Sequence, residues 1–177
     1  KGSITHPKNS SFMFLDLYRE RINYIKTLIP NACIGADVIV GFPGETDELF
    51  METYRFIQSL DISYLHVFSY SERDNTKAID FSNIIPKQVR FKRSKMLRSL
   101  SVKMRRNFYS NQIGTKRSIL FESENKKGFI HGFSENYVRV KAHWRKNLVD
   151  KIVKYDLKEI SEDGYVLVEN SNKLIKV

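Results

Sequence analysis

The sequence of 177 residues has little cysteine: Cys33 is the only one. A lone cysteine excludes an intramolecular disulfide and favours a reducing compartment, so we expect a cytoplasmic protein. It also excludes an iron–sulfur cluster held by this chain alone, because such clusters need several thiolates. No apolar run is long enough to cross a bilayer, and the first residues do not resemble a signal peptide, so no membrane partner is expected.

Acidic residues are absent from one long stretch. Residues 81–121 hold eleven Lys or Arg and no Asp or Glu, whereas the rest of the chain holds nineteen basic and twenty acidic residues. This stretch therefore supplies the whole net charge of +10. A concentrated cationic segment attracts polyanions at long range, so the pattern favours nucleic acid as a partner over a merely solvated helix face.

The apolar pattern predicts a strand–helix–strand unit in the first half of the chain. An amphipathic helix over 15–29 precedes a strand, Cys33–Phe42, which is apolar except at Asp37, as expected for a strand covered by helices on each side. Thr46 is the expected N-cap of the next helix, and a second strand spans Ser63–Tyr70. Chemistry in parallel sheets collects where strands end, which directs attention to the loop after the first strand.

A long helix and a run of short strands make up the second half. The helix is predicted from Pro86, at its first position, to about Gln112, with Gly114 as its terminator. Five short alternating runs beyond Thr115 predict a small antiparallel barrel, so the domain boundary falls near Gly114. The basic residues of the helix are expected on its outer surface: Arg90, Lys92, Arg93, Lys95, Arg98, Lys103, Arg105 and Arg106.

Two strings carry a resemblance to a known family. GADVIVGFPGET (35–46) and YLHVFSYSER (64–73), with the basic helix and the barrel after them, resemble the carboxy-terminal part of a radical SAM methylthiotransferase. The barrel is similar to the TRAM domain, an OB-like RNA-binding module. LHVFSYSER and GFSENYVRVKAH (132–143) are most similar to the branch that modifies threonylcarbamoyladenosine in tRNA.

The resemblance implies an α/β plus all-β architecture. Residues 1–14 would be a linker or a cloning remnant, 15–113 the last βα units and the basic helix of a parallel radical SAM (β/α) barrel, and 114–177 the five-stranded TRAM barrel. The first strands of the (β/α) barrel would lie outside the sequence. The strands around Val38 and Val67 would then have open edges, through which the chain is expected to self-associate.

The resemblance also implies a reaction. In this family a reduced [4Fe–4S] cluster cleaves S-adenosyl-L-methionine (SAM) to a deoxyadenosyl radical, which abstracts hydrogen from carbon-2 of the adenine beside the anticodon. A second [4Fe–4S] cluster supplies sulfur, and another SAM supplies the methyl group. The ligands of both clusters lie outside this chain. We therefore expect a transferase fragment with no catalytic or metal-ligating residue of its own, inactive alone and docking tRNA.

The SAM-binding residues that the resemblance implies lie in the loop and at the end of the second strand: Gly41, Phe42, Pro43, Gly44, Glu45, Phe68, Ser69 and Tyr70. Glycine permits a close backbone approach to a ligand, although Pro and Gly also mark ordinary turns. Arg73 is a candidate for carboxylate or phosphate binding, or an ordinary surface arginine.

Three further residues have plainer explanations. Asp37 would be costly unpaired in an apolar strand, so we expect a hydrogen bond to a neighbouring loop, with a substrate role as the alternative. His66 is expected to be a satisfied core residue rather than a catalyst. Cys33 is expected to be a small buried hydrophobe.

The RNA-binding candidates combine cations with aromatic side chains, which is the arrangement that holds phosphates and stacks bases. Trp144 fits a base-stacking role and the barrel core equally well. The candidates are Arg98, Lys103, Arg105 and Arg106 on the helix, then Lys116, Arg117, Arg139, Lys141, His143 and Trp144 in the barrel.

The sequence departs from the family pattern in three places. Ser69 stands where the family usually has proline, 74–77 replaces a Pro-Gly-Thr-Pro-like string, and Lys1–Ser11 has no counterpart. Two other functions stay open at this point. One is a stand-alone RNA-binding module, and the other is a methylthiotransferase that acts on a ribosomal protein.

Overall fold

The computed structural model describes residues 8–72, 81, 83–126 and 128–169. The chain divides into two compact units between Met104 and Arg105. The expected boundary was near Gly114, whereas this division falls earlier, inside the long basic helix. The elements of the first unit are α1 (Lys8–Leu28), β1 (Gly35–Val40), α2 (Asp47–Gln58), β2 (Tyr64–Ser69) and most of α3 (Lys87–Ser110).

The strand–helix–strand unit is confirmed. β1 and β2 pair in parallel, from Gly35 opposite Tyr64 to Val40 opposite Ser69. The side chain of Thr46 accepts a hydrogen bond from the Leu49 amide at 3.3 Å, as an N-cap should.

The first helix begins earlier than expected. α1 starts at Lys8, so residues 8–14, which the sequence analysis assigned to a linker, are helical. Asn9, Ser10 and Ser11 lie inside this helix, and their low intrinsic helix propensity is the reason that the sequence pattern favoured a linker. Among the apolar side chains of this helix, Ile22 is buried, whereas Tyr18 and Ile25 are exposed.

The hydrophobic core of the first unit lies on one face of the two-stranded sheet. Ala36, Val38 and Val40 of β1 face it, while the alternate residues Asp37 and Ile39 are exposed. The expectation that β1 is covered on both faces was therefore wrong, because α1, α2 and α3 all contribute to the same core. Its buried members are Ile22, Val40, Phe50, Ile57, Leu60, Ile62, Leu65, Leu97 and Leu100.

Both ends of α3 differ slightly from the prediction. The carbonyl of Pro86 accepts hydrogen bonds from the amides of Val89 and Arg90, so Pro86 precedes the helix rather than occupying its first position. The helix ends at Ser110, and a turn leads to Gly114, whose φ of +82° confirms the left-handed terminator.

The second unit contains a closed five-stranded barrel. The strands lie in the ring order β3-β4-β5-β7-β6, and the pairing of β5 with β7 is parallel. The prediction of a wholly antiparallel barrel was therefore wrong. A closed ring with an odd number of strands cannot alternate direction all the way round, so at least one pair must be parallel. The strands are β3 (Lys116–Lys126), β4 (Phe129–Ser134), β5 (Arg139–His143), β6 (Ile152–Ile160) and β7 (Val166–Glu169).

Candidate cofactor loop and nucleic-acid interface

The loop after β1 is closed by its own glutamate. The amide of Gly41 donates to Glu45 Oε2 at 2.7 Å, and the amide of Glu45 donates to the Phe42 carbonyl at 3.0 Å. The amide of Gly44 donates to the carbonyl of Asn83 at 2.9 Å. Gly41 and Gly44 both have left-handed backbones, with φ of +76° and +86°. The carboxylate of Glu45 is therefore part of the loop's framework.

A buried arginine of α3 holds this loop. Arg93 Nη1 donates to the carbonyl of Glu45 at 2.8 Å and to its Oε2 at 2.7 Å. Its Nη2 donates to Asp47 Oδ1 at 2.7 Å, and this hydrogen bond holds the pKa of Asp47 below its ordinary value. One guanidinium thus ties the loop and the first turn of α2 to α3.

A second buried arginine holds the end of β2. Arg90 Nη1 donates to the Tyr70 carbonyl at 2.8 Å, and the guanidinium pairs with the carboxylate of Glu72. The hydrogen bond from Arg90 lowers the pKa of Glu72 to about 2. Arg90 Nε donates to the Ile85 carbonyl at 2.7 Å. The prediction that Arg90 and Arg93 lie on the helix surface was wrong. Both are buried, because helical spacing places them on the same core-facing side of α3 as Leu97.

The structure brings the two predicted parts of the cofactor site together. The amide of Tyr70 donates to the Val40 carbonyl at 2.8 Å, and the Phe42 and Tyr70 rings pack edge to face with centroids 5.3 Å apart. Among the predicted residues, Gly41 and Pro43 are buried, and Phe42, Glu45 and Tyr70 are half-buried. The residues exposed at this edge are Gly44, Phe68 and Ser69.

Asp37 and His66 lie opposite each other in the register of β1 and β2, and both are exposed. The expectation that His66 belongs to the core was therefore wrong. Its ring packs edge-on against Tyr64, with centroids 5.1 Å apart. Cys33 is only partly buried, contrary to the expectation of full burial. Arg73 and the 74–77 string lie outside the described residues.

Within the described residues, no group of three or more His, Cys, Asp or Glu side chains could hold a metal ion. Those residues therefore do not fit an iron–sulfur cluster. Gly44, Phe68 and Ser69 are exposed where the two parallel strands end, which is the position at which ligands bind in parallel sheets. No helix over the described ranges combines the length and apolar composition needed to span a membrane.

Some of the RNA-binding candidates are exposed cations, and others interact with neighbouring groups of the protein. Arg98, Lys103 and Arg106 are exposed, and Arg98 Nη2 contacts the Val67 carbonyl at 3.4 Å. Arg105 is half-buried and has a partner. Exposed apolar side chains, Phe91 among them, interleave with the cations on α3.

Two of the barrel candidates form ion pairs with carboxylates of the protein. Arg117 Nη2 donates to Gln112 Oε1 at 2.6 Å, and its Nη1 lies 3.7 Å from Glu135. Lys141 Nζ donates to both carboxylate oxygens of Asp163 at 2.7 Å. Lys116 and Arg139 are exposed. Trp144 is half-buried, and its amide donates to the Gly128 carbonyl at 2.9 Å.

The aromatic partners of the β5 cations were not predicted from the sequence. Phe129, His131 and Phe133 of β4 lie opposite His143, Lys141 and Arg139 of β5, respectively. Tyr165 lies beside them, with its ring centroid 4.7 Å from that of His131. The signal was present in GFIHGF, whose alternate residues point to one face of a strand, but the pairing register was needed to use it.

The fold and site define a class of protein: a parallel βαβ unit followed in the chain by a small mixed barrel, with exposed cations in both units. No protein-family model matches the chain. The chain is 38% identical over 137 residues to threonylcarbamoyladenosine tRNA methylthiotransferase MtaB of Aquifex aeolicus, an overlap of 77% of the chain and 32% of the relative.

Two further relatives are also tRNA-modifying enzymes of this kind by name. MtaB of Bacillus subtilis is 33% identical over 155 residues, 85% of the chain and 34% of the relative. The tRNA-2-methylthio-N(6)-dimethylallyladenosine synthase of Endomicrobium trichonymphae is 32% identical over 142 residues, 80% of the chain and 34% of the relative. The chain is therefore homologous to a segment of the MtaB- and MiaB-like methylthiotransferases. It spans about a third of the length of these curated relatives.

Proposed function

We propose that the chain is the carboxy-terminal part of a radical SAM tRNA methylthiotransferase that adds a methylthio group to carbon-2 of threonylcarbamoyladenosine. The observation that carries this proposal is the 38% identity to an MtaB enzyme across 77% of the chain. The 35% identity to MtaB of Rickettsia prowazekii supports the same branch. The family's dimethylallyladenosine synthases at similar identity make that nucleoside the nearest alternative substrate.

The first unit supplies part of a cofactor site in this proposal. Its parallel strands would be the last strands of the (β/α) barrel, and the exposed face that carries Asp37, Ile39 and Phe68 would be the barrel interior. SAM, when bound, supplies the radical and the methyl group. Gly44, Phe68 and Ser69 are available to hold it, while Glu45 keeps the loop closed.

The cluster ligands would belong to the part of the relatives that this chain does not cover, and the chain alone would be inactive. Residues 114–177 would form the TRAM domain. Exposed cations in both units would hold phosphates of the tRNA: Arg98, Lys103, Arg106 and Lys116. The enzyme would be cytoplasmic.

A stand-alone RNA-binding module is the second candidate. The closed barrel with its exposed cations and aromatic residues favours it, since small barrels bind oligonucleotides without any catalytic partner. In that case the parallel unit would be only scaffold.

Nucleoside analysis of the source organism tests the proposal. In a strain lacking the gene that encodes this chain, mass spectrometry of digested tRNA should show loss of the methylthio group from threonylcarbamoyladenosine, and complementation should restore it. Loss from dimethylallyladenosine instead would move the protein to the other branch. Unchanged tRNA with an altered ribosomal protein, or with no change at all, would contradict the tRNA-modifying function.

A further inference from the structure

The outer face of β4 and β5 carries a continuous strip of rings and cations. We call it the β4–β5 strip, and its members are Phe129, His131, Phe133, Arg139, Lys141 and His143, with Tyr165 alongside. The Phe129 and His143 rings stack with centroids 5.1 Å apart. All of these residues belong to the second unit.

The cations of the strip lie over its rings. Arg139 Cζ is 4.8 Å from the Tyr165 centroid and 5.9 Å from that of Phe133, and its Nη2 donates to the Tyr165 hydroxyl at 2.9 Å. Lys141 Nζ is 5.2 Å from the Phe129 centroid. These contacts hold the guanidinium of Arg139 in place before any ligand arrives, which lowers the entropic cost of binding.

The Lys141 charge is neutralised from within the protein. Asp163 accepts from Lys141 and from Ser161 Oγ at 2.6 Å, so its carboxylate is fixed beside the ammonium. A phosphate at this point would have to displace a carboxylate. The middle of the strip is therefore suited to stacking rather than to phosphate binding.

The spacing of the rings distinguishes single-stranded from double-stranded nucleic acid. Alternate residues on a strand are about 6.7 Å apart, as Phe129, His131 and Phe133 must be along β4. Successive stacked bases in a duplex strand are about 3.4 Å apart and face one another rather than the protein. Only nucleotides whose bases are separated and turned outward can match the strip.

We infer that the β4–β5 strip binds unpaired RNA nucleotides by stacking their bases on its aromatic rings and on the guanidinium of Arg139. The inference rests on the proposed function for its RNA partner and adds the form of RNA and the residues that receive it. Phe133, 36% exposed at the end of the strip, is the ring most open to a base.

The test measures RNA binding by fluorescence anisotropy with the full 177-residue chain. The probes are a labelled RNA of about twelve nucleotides without self-complementarity, which is within the usual site size, and a blunt hairpin of the same composition. The variants are Phe133→Ala and Arg139→Leu. The matched control is Ile152→Ala, which removes a 72% exposed apolar side chain from β6, outside the strip. Circular dichroism checks that each variant folds.

We expect Phe133→Ala and Arg139→Leu each to weaken single-strand binding about tenfold, with little change for the hairpin. The salt dependence of Phe133→Ala should equal that of the wild type, because stacking releases no counterions. If both variants bind the single strand as tightly as Ile152→Ala does, the strip is not the site, although tRNA docking elsewhere would survive. If the wild-type chain binds neither RNA at low salt, the RNA-docking part of the proposed function fails as well.

Discussion

Arg93 is the residue on which the geometry of the 41–45 loop most depends. Its guanidinium binds Glu45 twice and Asp47 once, while the Glu45 side chain is only 15% exposed. Removal of the arginine would leave a partly buried carboxylate without its counter-charge. A carboxylate in that position is costly, whereas an exposed lysine of the same helix contributes little.

We expect Arg93→Met to lower the free energy of unfolding by about 2 kcal/mol, the usual range for hydrogen bonds to charged groups. Lys92→Met, at the exposed neighbouring position, should change it by less than about 0.5 kcal/mol. Urea unfolding followed by circular dichroism measures both. Equal effects of the two substitutions would show that the Arg93 contacts do not hold the loop.

Substitutions at Gly41 and Gly44 distinguish the cost of backbone strain from the cost of steric crowding. Both have left-handed φ angles, but a Cβ on Gly41 would lie 2.4 Å from Arg90 Cγ, whereas a Cβ on Gly44 would meet nothing within 4 Å. Because hydrogen bonds pin Arg90, it cannot move aside cheaply. Gly44→Ala should cost about 1 kcal/mol from the backbone alone, and Gly41→Ala distinctly more. Thermal unfolding of the two variants gives the order, and a larger loss for Gly44→Ala would contradict the packing described.

The basic run shows why residue roles are harder to predict than elements. Charge counting treats all eleven cations of 81–121 alike. Helical spacing places Arg90 and Arg93 on the same stripe as Leu97 and Leu100, and that signal could have identified them as inward-facing. Their partners could not be found in this way, because Glu45 and Glu72 are distant in the sequence and meet the arginines only after folding.

At the scale of elements, alternation and turn residues were sufficient to find each described α-helix and strand, although not the first two turns of α1. They were not sufficient to predict the relative direction of paired strands in the barrel, since two consecutive strands considered as a hairpin are always antiparallel. The parallel pairing of β5 with β7 follows only from the closure of the ring. The exposed face of β1 was missed for a related reason: an apolar strand has the same composition whether or not something covers it.

The turn before β7 makes the barrel sensitive to acid. The hydrogen bonds from Lys141 and then Ser161 lower the pKa of Asp163 to about 2, from an ordinary value of 3.8. A carboxyl group whose pKa is depressed by folding stabilises the protein above its ordinary pKa, and this contribution is lost as the pH falls toward 2. Asp163→Asn should therefore lower the melting temperature at pH 6, and its difference from the wild type should shrink between about pH 4 and pH 2. Thermal melts followed by Trp144 fluorescence provide the measurement, and a constant difference across that range would contradict the ion pair.

At the scale of the whole molecule, the exposed cations should make tRNA binding strongly dependent on salt. Each phosphate contact contributes about one unit to the slope of log affinity against log salt. Lys103→Met and Arg106→Met should each reduce that slope by about one, because both side chains are exposed. Lys154→Met, an exposed lysine of β6, is the control and should leave it unchanged. A slope that none of these substitutions alters would exclude α3 as a phosphate-binding surface.

The two-stranded parallel sheet leaves the first unit with an uncovered surface. Parallel sheets are normally buried on both faces, yet Ile39 and Phe68 are 59% and 52% exposed here, and in the described structure β1 and β2 each pair on one side only. The chain spans only a third of the length of its relatives, so in the isolated chain a second copy is what can cover this sheet face. We therefore expect the isolated chain to self-associate. Gel filtration should show a dimer or larger species that Ile39→Lys converts to monomer, while Leu120→Lys, on the outside of the barrel, leaves it unchanged. A wild-type monomer with slowly exchanging amides in β1 and β2 would contradict this, since the sheet would then be stable with its edges and one face in water.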